Sequence, residues 1–448
     1  MTPKNKYTGF CFHDGKTCEI DRIHENITPE KFYLDYILKR KPCILKSEYV
    51  IKNKLNIDLN FMKEKIQDIN VHLEKRISNS FGTGKKKKMK FHKFLSLLEK
   101  GNKKYYLNTQ YVKENAYHPK DFCNTITRQM INYLPKELEI MGNLEIYQYN
   151  IWLGNNKSTK LKTYLHHDYH DNIYVLLKGK KTFRIYSPNF AYRLKTNGKI
   201  FKVHKNGLIT YLPFIRSDGS HILDVYKKQM NKIYNEIDIM NEVLNKKDTL
   251  VDNQTIEDSI NKAEEKLNLL EENILNYKLK KHNFHRQPNA RQDIPNHFCL
   301  IHTRKRKEDE NIFDKKTNIR KKYIEVNLNE GDILYLPCGW FHEVKSFSSE
   351  EQYHLAFNYW YYPPYIKINK STNVENKFDN PYVDKYLSER NIKLYKKIGI
   401  YKQKNSNLTE ILSYYKNMKI KKIKIKKNKK RKNGLDLKKK KKIKIDNT

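Results

Sequence analysis

No two of the six cysteines stand in a CxxC pair, and no stretch of the 448 residues approaches the roughly 18 apolar residues of a membrane span. The first lack argues against zinc fingers and against a disulfide framework. The second argues against a spanning helix. Met1 to Lys16 also lacks the apolar run of a signal peptide, so the expectation is a soluble, intracellular protein in a reducing compartment. Acidic residues are scarce as well: 50 Asp and Glu stand against 90 Lys and Arg, a formal net charge of +40. Such an imbalance points to a polyanionic neighbour such as nucleic acid, or to a lysine-rich composition with no specific partner. Lys416 to Thr448 alone holds 17 Lys and Arg against two Asp.

Aromatic residues are plentiful, with 33 Tyr and 19 Phe, so a sizeable core is within reach. Thr28 to Lys46 reads as a helix and then a short strand. Thr28 is a good N-cap, Pro29 suits the first helical position, and Lys41-Pro42 ends the helix. A basic run, Lys85 to Lys88, precedes the amphipathic segment Phe91 to Leu98, and YYLNTQYV, from Tyr105, is strand-like. From Leu144 the pattern turns β-rich, in NLEIYQYNIWLG, NIYVLLKGKKTFRIYSP, KYIEVNLNEGDILYLP and YHLAFNYWYY. These runs predict an antiparallel double sheet or jelly-roll barrel, with KGKK (Lys178 to Lys181) as a hairpin turn.

An insert interrupts the strands. Leu223, Tyr226, Met230, Ile233, Ile237, Met240 and Leu244 recur in steps of three and four, and so do Ile256, Ile260, Ala263, Leu267, Leu270, Ile274 and Tyr277. Two such seams, joined by a polar linker, predict an antiparallel helical hairpin over about 220–280, with Thr255 and Asp258 as a capping box. It is either an inert surface insertion or a docking arm for a partner or a second copy. The stretch beyond Gln403 is too poor in apolar residues to bury a core, and is expected to be a nuclear address, an RNA-binding arm or a solvated tail.

The densest chemistry lies in YLHHDYHDN, Tyr164 to Asn172. On a strand His166 and Asp168 share a face and His167 points away. One nitrogen and one oxygen ligand make half of a 2-His-1-carboxylate triad, the arrangement that suits non-haem Fe(II). A second histidine must come from a distant strand, and GDILYLPCGWFHEVKS offers His342. A helical HExxH zinc motif is excluded, because His167 follows His166 and the segment runs into a strand. His170 and Asp171 are expected in a turn near the pocket mouth, within reach of substrate. His92, His118, His204, His282, His285, His297, His302 and His354 show no comparable setting.

In these pieces the sequence resembles the JmjC (cupin-like) family of Fe(II)- and 2-oxoglutarate-dependent oxygenases. YYLNTQ, TYLHHDYHDNIYVLLKGKKTFRIYSP, GDILYLPCGWFHEV and FNYWY occur in the family's order between about Thr28 and Pro364. The resemblance implies a double-stranded β-helix core and His166, Asp168 and His342 as iron ligands. It also implies a 2-oxoglutarate site formed by Lys181 with Tyr106, Thr163, Asn172 and Asn358, and O2 as the second cosubstrate. Lys178 and Lys180 are alternatives to Lys181 if the turn register differs. Trp340 and Trp360 are expected as core or pocket-wall aromatics.

The expected layout is an N-terminal tail over 1–27, a helical part over 28–140, the catalytic core over 141–365, a helical extension over 366–402 and the basic tail over 403–448. The implied activity is hydroxylation of a protein side chain, with succinate and CO2 as co-products. Demethylation of N-methyl-lysine on histones, hydroxylation of RNA or tRNA, and a non-catalytic scaffold are the rival readings. The implied partners are a protein substrate, nucleic acid through the tail, and a second copy or other protein through the hairpin, with no membrane. A nuclear location is expected from the tail, with the cytoplasm as a second location.

Overall fold

The computed structural model describes residues 4–12, 19–50, 57–76, 80–81, 84–108, 125–142, 144, 146–156, 162–212, 221–245, 252–282, 294–300 and 322–364. The expected extension over 366–402 and tail over 403–448 lie outside these residues, as does the part of YYLNTQYV beyond Asn108. By its internal contacts the chain divides into Met1–Glu389 and Arg390–Thr448, and every described residue falls in the first unit.

Two large sheets form the body. The larger runs, from edge to edge, through Asp21–Ile23, Cys43–Lys46, Asp332–Leu336, Asp171–Lys178, His354–Tyr361, Ile146–Gly154, Tyr105–Leu107, Asn70–Lys75 and Lys85–Lys90. His354–Tyr361, the last described strand of the chain, therefore sits near the middle of this sheet, antiparallel to both neighbours. The smaller sheet runs through Ile324–Leu328, Lys180–Tyr186, Phe341–Phe347, Lys162–Thr163 and Ser80–Phe81, and the two-residue strand His166–His167 also pairs with Phe341–Phe347. The mainly β, jelly-roll architecture expected from the sequence is what the chain adopts.

Strand alternation divides the apolar residues between two cores. Ile173, Val175, Ile333, Tyr335, Leu355 and Phe357 enter the cluster under the N-terminal helices. Their neighbours Tyr174, Leu176, Leu334, Leu336 and Ala356 enter the cluster between the two sheets. This is why DILYL reads as an unbroken apolar run: both of its faces are buried.

The N-terminal helix starts as expected. The Thr28 hydroxyl accepts from the Lys31 N–H at 3.2 Å, and Pro29 opens the first turn. Only Pro29–Phe32 is α-helical; Tyr33–Ile37 continues as a π-helical turn, and the chain then bends through Arg40, whose φ is +56°. The helical hairpin consists of Ile222–Asn245 and Asn253–His282. Met230, Ile237, Ala263 and Leu267 form its own small core, separate from the other two. The capping box expected at Thr255 and Asp258 is corrected. Asp252 caps the second helix, accepting from the Thr255 N–H at 3.2 Å and the Thr255 hydroxyl at 2.6 Å, so Thr255 already lies in the first turn.

Candidate metal centre and adjoining cavity

His166 and His342 face each other as an antiparallel cross-strand pair, and their ring centroids are 4.4 Å apart. Asp168 follows the short His166–His167 strand, and its Oδ2 lies 3.8 Å from His342 Nε2. One ligand atom from each of the three residues falls within 4.8 Å of the others, a spacing that a single cation can bridge. Both histidines are oriented through Nδ1: that of His166 donates to the Tyr164 carbonyl at 2.7 Å and that of His342 to the Trp340 carbonyl at 3.0 Å. This fixes the tautomer and leaves each Nε2 lone pair for a metal. Burial holds both rings near pKa 4, so they are neutral at pH 7 and competent as ligands. Burial also pushes the Asp168 carboxyl up.

Gly339 locks this corner. Its N–H donates to the Asp168 carbonyl at 2.9 Å, its φ is +76°, and a side chain there would collide with the Gly207 carbonyl. The glycine of CGWFH thus sets the carboxylate's backbone two residues before the strand that brings His342. His167 points the other way, fully buried, with Nε2 2.6 Å from the Tyr211 hydroxyl.

A cavity of about 390 Å³ opens beside the triad, lined in part by Tyr106, Thr163, Asn172 and Lys181. Lys181 is 1% exposed. KGKK is not the expected hairpin: Asp171–Lys178 and Lys180–Tyr186 do not pair, and Gly179, with φ +83°, turns the chain from the larger sheet into the smaller one, where Lys181 is buried, while Lys180 is exposed and Lys178 pairs with Glu351 at 3.2 Å. The Lys181 ammonium meets the Ser346 hydroxyl at 2.6 Å and His354 Nδ1 at 3.1 Å, and among the described residues it has no carboxylate partner. Burial lowers its pKa to about 7. The hydroxyls expected to assist it, Tyr106 and Thr163, line the cavity without bonding to it. Thr163 Oγ1 instead accepts from the Val344 N–H at 2.9 Å. Asn358 is fully buried and outside the cavity wall. Its amide donates to Asn172 at 2.8 Å and accepts from the Trp152 indole at 3.0 Å, so it holds two residues that do line the cavity.

Asp171 is the main correction to the sequence reading. It is fully buried, not at the pocket mouth, because it opens a central strand and meets a buried guanidinium. Both Arg40 terminal nitrogens bond its carboxylate, one of them at 2.7 Å, and the Tyr335 hydroxyl and Cys338 N–H each donate at 2.9 Å. His170 stacks on Tyr147, with centroids 3.8 Å apart, and does not line the cavity. Trp340 is core and Trp360 is cavity wall, as expected.

Sequence reasoning missed His354, Ser346, His297 and Phe298. His354 was within reach: it shares strand parity with Asn358 and Trp360. His297 and Phe298 carried no periodic signal. They belong to the segment 294–300 downstream of the hairpin, which lies along the His166 strand through Cys299 N–H to Leu165 O at 2.8 Å, and Phe298 stacks on the His166 ring at 4.8 Å.

The family model described as "Cupin-like domain" matches residues 29–367, three quarters of the chain. The chain belongs to the cupin-like domain family. A similar curated protein is the JmjC domain-containing protein 4 of Schizosaccharomyces pombe, 29% identical over 445 residues, covering 86% of this chain and 92% of that protein. In this cupin-like chain the three ligand-type side chains and Lys181 all fall within the matched residues.

Proposed function

We propose that the chain is an Fe(II)- and 2-oxoglutarate-dependent dioxygenase that hydroxylates a protein side chain. The observation that carries this reading is one cavity that joins a His166, Asp168 and His342 cluster to a buried lysine lacking a carboxylate partner among the described residues. Two nitrogens and one carboxylate oxygen are the donor set suited to ferrous iron. A buried ammonium with no counter-charge is costly alone and fits an anionic ligand. Iron with 2-oxoglutarate and O2 bound supplies the oxidant for C–H hydroxylation and yields succinate and CO2.

The side chains then have separate tasks. His166, Asp168 and His342 would hold the metal from one side. Lys181 would take the distal carboxylate of the cosubstrate, with Ser346 behind it. Trp152, Phe183 and Phe298 form much of the apolar wall, which excludes water from the reacting atoms. Asn358 keeps Asn172 and Trp152 in place. A protein substrate is favoured because no zinc-binding chromatin module is present in the sequence and the plan resembles that of small hydroxylases.

Anaerobic loading with Fe(II) and 2-oxoglutarate, then O2, should give succinate, and His166→Ala or Asp168→Ala should abolish both iron binding and succinate. A wild-type chain that binds neither iron nor 2-oxoglutarate would sink the reading. Mass spectrometry of proteins trapped by Asp168→Ala and then treated with active enzyme should find one added oxygen atom. Release of formaldehyde instead would identify demethylation.

A further inference from the structure

We propose that His354 is a positioning residue that aims the Lys181 ammonium at the distal carboxylate of the cosubstrate. The inference rests on the 2-oxoglutarate reading above. His354 stands on the face of its strand shared with Ala356, Asn358 and Trp360, at the end nearest Lys181. An ammonium has three N–H donors in tetrahedral array. Ser346 Oγ, at 2.6 Å, takes one and His354 Nδ1, at 3.1 Å, takes another. With two directions fixed, the third is fixed too, and Lys181 lines the cavity.

The histidine is chosen for its acceptor nitrogen. A charged lysine can only donate, so Nδ1 must accept and the His354 proton sits on Nε2. That Nε2 is buried and has no hydrogen-bond partner among the described residues. An apolar side chain would fill the same space without the orphaned N–H, so what His354 adds is the contact to Lys181. Burial and the neighbouring lysine both disfavour the imidazolium, which keeps the ring an acceptor. Space for the pair comes from Gly154, opposite His354 on the adjacent strand. A side chain there would collide with the Tyr106 ring and come within 3.5 Å of Nε2. Tyr106 and His354 thus pack side by side, with centroids 5.7 Å apart.

The test uses the full chain loaded anaerobically with Fe(II) and measures binding of two probes, 2-oxoglutarate and pyruvate. Pyruvate keeps the chelating 2-oxo acid but lacks the distal carboxylate. His354→Leu should weaken 2-oxoglutarate roughly tenfold, the size expected for losing a hydrogen bond to a charged group, and leave pyruvate unchanged. His354→Asn, whose Oδ1 stands where the imidazole Nδ1 does and can accept from Lys181, should restore most of the affinity. Should the leucine variant fail to fold, His354→Phe, a ring of similar shape with no acceptor, replaces it with the same expected result. Unchanged 2-oxoglutarate affinity in a folded variant overturns the proposal, as does equal weakening of both probes. A wild-type chain that binds iron and pyruvate but gains nothing from the distal carboxylate overturns the Lys181 reading itself, a result that no variant is needed to see.

Discussion

At the scale of single residues, two cations are buried among the described residues, Arg40 and Lys181, and the fold treats them differently. Arg40 is fully matched by Asp171, while Lys181 has only neutral partners among the described residues. Removing one member of a buried pair strands the other. Asp171→Ala should therefore lose about 3–5 kcal/mol in urea unfolding, and Arg40→Met with Asp171→Leu should recover most of it. Lys181 gives a pH signature. Its pKa in the open cavity is about 7, and only the charged form attracts a carboxylate. Below that pH the 2-oxoglutarate affinity should be flat. Above it the lysine must take up a proton on binding, so affinity should fall by up to about tenfold per pH unit, with proton uptake visible when calorimetry is repeated in buffers of different ionisation enthalpy. Strand parity, a local rule, made His166 and Asp168 legible as a same-face pair, whereas Lys181 was reached only through the family resemblance. The sequence could not reveal Asp171's burial, because Arg40 lies 131 residues away.

Among elements, the insert contains two parts with unlike roles. The helical arms have their own core, whereas segment 294–300 is bonded to the His166 strand. The His221 and Tyr277 side chains touch at 3.0 Å, so a short Gly-Ser linker can replace residues 222–276. That variant should keep iron and 2-oxoglutarate affinity near wild type, while Phe298→Ala in the intact chain should weaken iron by about tenfold, through loosening of the ring it stacks on. Both measurements need only binding. The arms were legible because a heptad seam is a repeating signal. The return segment was not, because its pairing is tertiary and short. The basic run Lys85 to Lys88 was read apart from any strand, yet it lies in Lys85–Lys90, the exposed edge of the larger sheet, where lysines deter pairing with other chains.

For the whole molecule, charge is the property no single element explains. Lys416 to Thr448 contributes a net +15, the difference between 17 basic and two acidic residues, and the remaining +25 of the total +40 is spread over the rest. If the tail is a nucleic-acid arm, deleting it should reduce the slope of log affinity against log salt for RNA, since each neutralised phosphate adds about 0.7–0.9 to that slope. An unchanged slope would place any such binding on the body of the chain. The same deletion followed by imaging tests the nuclear address. The β-rich plan was legible from the chain because runs buried on both faces announce themselves as unbroken apolar strings. The order of strands in the sheet was not, because it depends on pairings far apart in sequence.

That order has a consequence for biosynthesis. His354–Tyr361 is the last described strand to leave the ribosome, yet it belongs between Ile146–Gly154 and Asp171–Lys178, both made long before. Until it arrives, two inner strands expose unpaired edges, and Asn358 and His354, which hold the cavity residues Asn172, Trp152 and Lys181, are missing. Translation must run past residue 361 before the sheet can close. A nascent chain stalled earlier is an open-edged intermediate that needs protection from its neighbours, and the cavity beside the His166, Asp168 and His342 cluster is walled by Trp360 only once this strand is in place.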